Sequence, residues 1–127
     1  MRRALVIDDS RTIRTILSKK LVHLGFKVSN AENGQAALDI LHETPLISLA
    51  LVDWNMPVMN GLEFVKAVRA QRAYDNLTIV MVTTETETSQ MVTALQAGAN
   101  DYIMKPFTDE IIVERLMLLG IQEQAVR

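Results

Sequence analysis

Short apolar runs recur along the chain: Ala4 to Ile7, Lys27 to Ala31 (the weakest), Leu49 to Val52, Thr78 to Val82 and Tyr102 to Met104. Each has the length of a β-strand. The strongest are rich in Val, Ile and Leu without alternation, the pattern of strands buried on both faces. Between them the apolar residues fall at helical spacing. Ile13, Ile16, Leu17, Leu21 and Leu24 form one stripe, after which Gly25 supplies a stop. Ala37, Leu38 and Leu41 form a second, Leu62, Val65 and Val68 a third, Met91, Val92 and Leu95 a fourth, and Ile112, Leu116 and Leu119 a fifth. Gly98 and Gly120 stand where helix ends are expected. Strand then helix, five times over, predicts an α/β fold: a doubly wound, five-stranded parallel sheet with helices on both faces. Right-handed crossovers leave few topologies, and the flavodoxin-like strand order 2-1-3-4-5 is the one expected. The reading is one domain over residues 1–121, with a polar tail, 122–127, expected to fray.

Polar residues interrupt this pattern at the strand ends. The first strand runs into Asp8 and Asp9, the third into Asp53, the fourth into Thr83 and Thr84, and the fifth into Lys105. In a parallel sheet all carboxyl ends share one rim, and the first and third strands flank the topological switch point where such sheets bind ligands. Three carboxylates in one crevice repel, so at least one is expected to have a raised pKa. A hard divalent cation relieves that repulsion, and Mg²⁺ suits one or two carboxylates with waters and phosphate oxygens. A carboxylate can also act as a nucleophile and form an aspartyl-phosphate. Lys105 and the Thr83 hydroxyl would then receive the phosphoryl oxygens.

Taken singly, each residue also has a purely structural reading. Asp9 or Ser10 could cap the first helix, and Asp53 could start the turn Trp54-Asn55-Met56-Pro57. Thr83 or Thr84 could cap the fourth helix, and Lys105 could be a solvated lysine. Their joint placement on four strand ends favours chemistry.

Composition narrows the partners. A formal net charge of −2 offers no basic surplus for nucleic acid. There is no cysteine, so neither a disulfide nor a thiolate site is available. The apolar run after Met1-Arg2-Arg3 is shorter than the roughly 7–15 residues of a signal-peptide core. No stretch reaches the roughly 20 apolar residues of a membrane span. A cytoplasmic protein without direct membrane contact is expected.

The strings LVIDDS, LVDWNMPVMNGLE, IVMVTTE and QAGANDYIMKPF, in this order, resemble the receiver domains of bacterial response regulators over essentially the whole length. Among these, the single-domain chemotaxis receivers of the CheY type are the most similar. The resemblance implies a signalling switch and no enzyme. It assigns Asp53 as phosphoacceptor, Asp9 as a direct Mg²⁺ ligand, Asp8 as a ligand through water, and Asn55 as a ligand through its backbone carbonyl. It makes Thr83, Lys105 and Tyr102 the residues that respond to the phosphoryl group, and Lys105-Pro106 a cis peptide. It implies a sensor histidine kinase as phosphodonor and an output protein on the face of the fourth helix, fifth strand and fifth helix. A flagellar motor switch is the narrowest form of that output, and the protein would be a monomer or a phosphorylation-dependent dimer. A stand-alone or excised receiver of another phosphorelay is the alternative.

Other features carry less. His23 and His42 are read as helix-end cations, the methionines mostly as core filler, and Trp54 as a rim residue suited to report metal binding by fluorescence. The fifth helix shows a second apolar arc, Ile111, Met117, Leu118 and Ile121, which is either a contact surface or packed on the fourth helix. The fourth helix starts Glu85-Thr86-Glu87-Thr88, acidic and neutral where enteric chemotaxis receivers carry lysines, which counts against the same motor contact. Asn55 and Glu85 flank the site and should influence phosphate hydrolysis. An aspartyl-nucleophile phosphohydrolase would need a carboxylate at Asn55 as general acid, and an amide cannot do that work.

Overall fold

The computed structural model of this chain describes residues 2–84 and 88–121. Its strands are β1 (Arg2–Ile7), β2 (Phe26–Ala31), β3 (Ile47–Val52), β4 (Thr78–Thr83) and β5 (Asp101–Met104). They alternate with α1 (Arg11–His23), α2 (Gly34–Glu43), α3 (Gly61–Arg69), α4 (Thr88–Ala97) and α5 (Asp109–Leu118). The sheet order is β2-β1-β3-β4-β5, all parallel, as the strand–helix alternation predicts.

The central strands are buried on both faces, which is why their sequences do not alternate. Leu5, Ile7, Ala50, Val52, Ile79 and Met81 point into the layer covered by α2, α3 and α4. Ala4, Val6, Leu49, Leu51, Val80 and Val82 point into the layer covered by α1 and α5. Successive residues thus serve opposite cores.

The helices start on side-chain caps. Ser10, Asn33, Asn60 and Thr108 each accept a backbone N–H from the first turn of α1, α2, α3 and α5, and Asn60 forms a full capping box with Glu63. Gly25, Gly98 and Gly120 follow helix ends with φ of 97°, 122° and 84°, so the predicted stops are left-handed turns.

Three stripes need correction. Ile16 is 44% exposed although it was expected on the core stripe of α1. In α4, Val92 and Leu95 are each 45% exposed, and the small Ala94 is the buried residue. In α3 the fully buried Phe64 fills the core beside Val65 and Val68, while Leu62 is half-buried. The second arc of α5 is open for Ile111, Met117 and Leu118. Ile121 packs on the core instead. The acidic segment at 85–87, with Glu85, and the tail at 122–127 lie outside the described residues.

Candidate phosphoryl and metal site

Hydrogen bonds that extend the sheet past its strand ends place each polar side chain. The Asp53 N–H donates to the Ile7 carbonyl (2.9 Å), the Asp8 N–H to Ala31 (3.1 Å) and the Lys105 N–H to Thr83 (2.9 Å). Asp53 is thereby drawn beside Asp8, and Lys105 beside the end of β4. The Lys105-Pro106 peptide is cis, as the resemblance implied.

Asp8, Asp9 and Asp53 each offer a carboxylate oxygen, and the three oxygens lie within 4.8 Å of one another. Asp8 and Asp53 are buried and Asp9 is exposed. Asp8 is fully engaged: one oxygen accepts the Ser10 N–H (2.8 Å) and the other the Lys105 ammonium (2.7 Å). Lys105 stands 3.6 Å from Asp53, so it is no solvated lysine. Asp53 accepts the Trp54 N–H (2.9 Å) and a hydrogen bond from the Thr83 hydroxyl.

Burial pushes the Asp53 carboxyl above its ordinary value, and the neighbouring Asp8 charge pushes it further. Lys105, Thr83 and the Trp54 N–H oppose the rise without cancelling it. One of the three carboxyls is thus raised, as expected, with burial the larger cause and the repulsion of Asp8 the smaller.

The structural readings of single residues separate here. Ser10 caps α1, accepting the Ile13 N–H at 3.3 Å, which leaves Asp9 out of that role. Helix α4 is described from Thr88, and the stretch 85–87 through which Thr83 or Thr84 would cap it lies outside the described residues. Thr83 is wholly buried at the end of β4. Asn55 is exposed on the loop two residues past Asp53, and Trp54 is half-buried against the core. Tyr102 lies outside the carboxylate group, 5% exposed in the core layer that also holds Ala94 of α4.

Two contributors escaped sequence reasoning. Arg14 donates to the Asp8 carbonyl (2.6 Å) and braces the β1–α1 turn. Its spacing six residues after Asp8, about one turn into α1, was the available signal. Gly34 packs on the loop after Asp53 from a distant part of the chain, and no local pattern announces it.

The donor set is all oxygen and mostly anionic, which fits a hard divalent cation such as Mg²⁺ and not a soft thiophilic metal. No helix among the described residues is long and apolar enough to cross a membrane.

Comparison with known proteins agrees with this geometry. The model of the response regulator receiver domain matches residues 4–117. A chemotaxis protein CheY homolog of Campylobacter jejuni is 48% identical over 113 residues, covering 88% of this chain and 87% of its own. Chemotaxis protein CheY1 of Helicobacter pylori is 43% identical over 121 residues, covering 94% and 98%. The solved structure of Vibrio cholerae CheY4 superposes with a TM-score of 0.86 at 37% identity, covering 93% of this chain and 98% of that one. The chain belongs to the response-regulator receiver domain family, whose match over residues 4–117 includes the strand ends that build the acidic crevice.

Proposed function

We propose that this protein is a phosphorylation switch of the chemotaxis type, with Asp53 as phosphoacceptor. The observation that carries the reading is the single crevice in which Asp53 meets Asp8, Asp9, the Thr83 hydroxyl and Lys105. Asp9, Asp53 and the Asn55 carbonyl would hold Mg²⁺ directly and Asp8 through water. When bound, that ion supplies positive charge against the carboxylates and the incoming phosphoryl oxygens.

In the reaction an Asp53 carboxylate oxygen forms the new O–P bond while the P–N bond of a phosphohistidine on a sensor kinase breaks. The bond pair stays on that ring nitrogen, and the proton on the other ring nitrogen makes the leaving group a neutral imidazole. Lys105, released from Asp8, pairs with a phosphoryl oxygen, and the Thr83 hydroxyl donates to another. The new group brings roughly 1.5–2 negative charges. Thr83 moves toward it at the end of β4, and Tyr102 adjusts on β5. The equilibrium of the α4–β5–α5 face shifts accordingly.

That face suits a partner. Val92, Leu95, Met104 and Ile111 are each more than two-fifths exposed on its three elements. Helix α4 carries no charged residue between Thr88 and Ala97. An output protein, such as a flagellar motor switch, would meet it through apolar contact. Beryllofluoride with Mg²⁺, a phosphoryl mimic, tests the reading. It should change Trp54 fluorescence in the wild type and leave Asp53→Asn unchanged; an equal response in both would overturn the assignment.

A further inference from the structure

We propose that Gly34, in the first turn of α2 and outside the acidic crevice, is a positioning residue for the loop that carries Asp53 and Asn55. Gly34 is buried, and its N–H donates to the Met59 carbonyl (3.0 Å). A Cβ on Gly34 would lie 2.7 Å from Met59 Cγ, 2.9 Å from its Sδ and 2.9 Å from its carbonyl oxygen. The need for glycine here is one of space, because a methyl group would press on main chain as well as side chain.

The loop has little freedom to absorb that pressure. Its start is tied to the sheet by Asp53 N–H to Ile7, and its end by Gly61 N–H to Trp54 (2.8 Å) and the Asn60 capping box. Met59 N–H also turns back to the Pro57 carbonyl (2.8 Å). Val58, at φ 70°, already sits in the left-handed region that β-branched residues avoid. A retreat of Met59 must therefore be taken up by residues 55–58, and with them the Asn55 carbonyl. Gly34 acts on the site through Met59, across an interval of 25 residues that no helix or strand period connects.

The inference rests on the proposed Mg²⁺ reading of the crevice and adds a residue that no metal-ligand pattern contains. Its test is Mg²⁺ titration followed by Trp54 fluorescence, with cooperative thermal unfolding recorded for every variant. Gly34→Ala should bind Mg²⁺ about 10-fold more weakly, the scale for groups that orient metal ligands. Gly98→Ala is the control. It is strained at φ 122° and meets Arg69 Cγ at 2.5 Å, but at the other end of α4, so it should lower stability and leave the Mg²⁺ constant alone.

If Gly34→Ala does not unfold cooperatively, the same substitution is made in a Met59→Ala background, where only the carbonyl contact remains. Affinity should still fall relative to Met59→Ala alone. Unchanged affinity in Gly34→Ala, or an equal loss in Gly98→Ala, overturns the proposal while the metal reading stands. A wild type blind to Mg²⁺ overturns both.

Discussion

Lys105 lies 2.7 Å from Asp8 and 3.6 Å from Asp53, so the lysine of the crevice is paired with the neighbour of the proposed nucleophile. This arrangement neutralises the more deeply buried acid and leaves Asp53 partly uncompensated, in line with its raised pKa. Removing the cation should expose the cost. Lys105→Met is expected to destabilise the protein by roughly 3 kcal/mol, the scale for breaking a buried ion pair. Mg²⁺ should restore part of the loss. Urea unfolding with and without Mg²⁺ checks it, and a loss below about 1 kcal/mol would mean the pair is screened like a surface bridge.

The raised pKa of Asp53 makes a signed prediction. Its folded form binds a proton more readily than its unfolded form, so stability falls as pH rises through the folded pKa. Ionised Asp53 is thus a cost at neutral pH that disappears as pH drops toward the ordinary aspartate value of 3.8. Without divalent cations, Asp53→Asn should melt higher than the wild type at pH 7, with the difference shrinking on acidification. Thermal melts across that range decide it; a difference that grows in acid would contradict the account.

Adjacent residues in the β1–α1 turn should separate by role. Ser10→Ala removes the cap bond to Ile13 and should cost about 1 kcal/mol while Mg²⁺ affinity holds. Asp9→Asn should do the reverse, losing Mg²⁺ affinity with little change in stability. Denaturation and Trp54 titration of both variants measure the two effects independently.

At the opposite end of the sheet, Arg69 donates to the carbonyls of Gly98, Tyr74 and Leu77 and to the Asn100 side chain. Arg69→Met would leave these acceptors without their cation. The Tyr74 carbonyl keeps the Leu77 N–H and the Asn100 Oδ1 keeps the Ile79 N–H, so the Gly98 and Leu77 carbonyls lose their donor. At about 1–3 kcal/mol for each orphan, a loss of about 3 kcal/mol is expected. The Mg²⁺ response should be intact. A shifted Mg²⁺ constant would show that this end of the fold is coupled to the crevice.

Much of the fold was legible because buried parallel strands write themselves as unbroken apolar runs and their carboxyl ends must share a rim. That is why Asp8, Asp53, Thr83 and Lys105, spread over nearly the whole chain, could be placed together. The α4 stripe misled because Val92 and Leu95 face outward, and helical spacing alone does not say which side an apolar arc faces. Ile16 is misplaced on α1 for the same reason. The lysine's preference for Asp8 over Asp53 is a matter of side-chain distance that strand order does not fix. The contacts of Gly34 and Arg69 depend on backbone carbonyls from distant segments. Carbonyls have no sequence signature.

The central claim is that Asp53 accepts a phosphoryl group with the help of a divalent cation. Intact-mass spectrometry after incubation with a small phosphodonor such as acetyl phosphate tests it most directly. The wild type should gain one acid-stable, base-labile phosphoryl group that depends on Mg²⁺, and Asp53→Asn should gain none. A gain that persists in Asp53→Asn, or that is indifferent to Mg²⁺, would contradict the account.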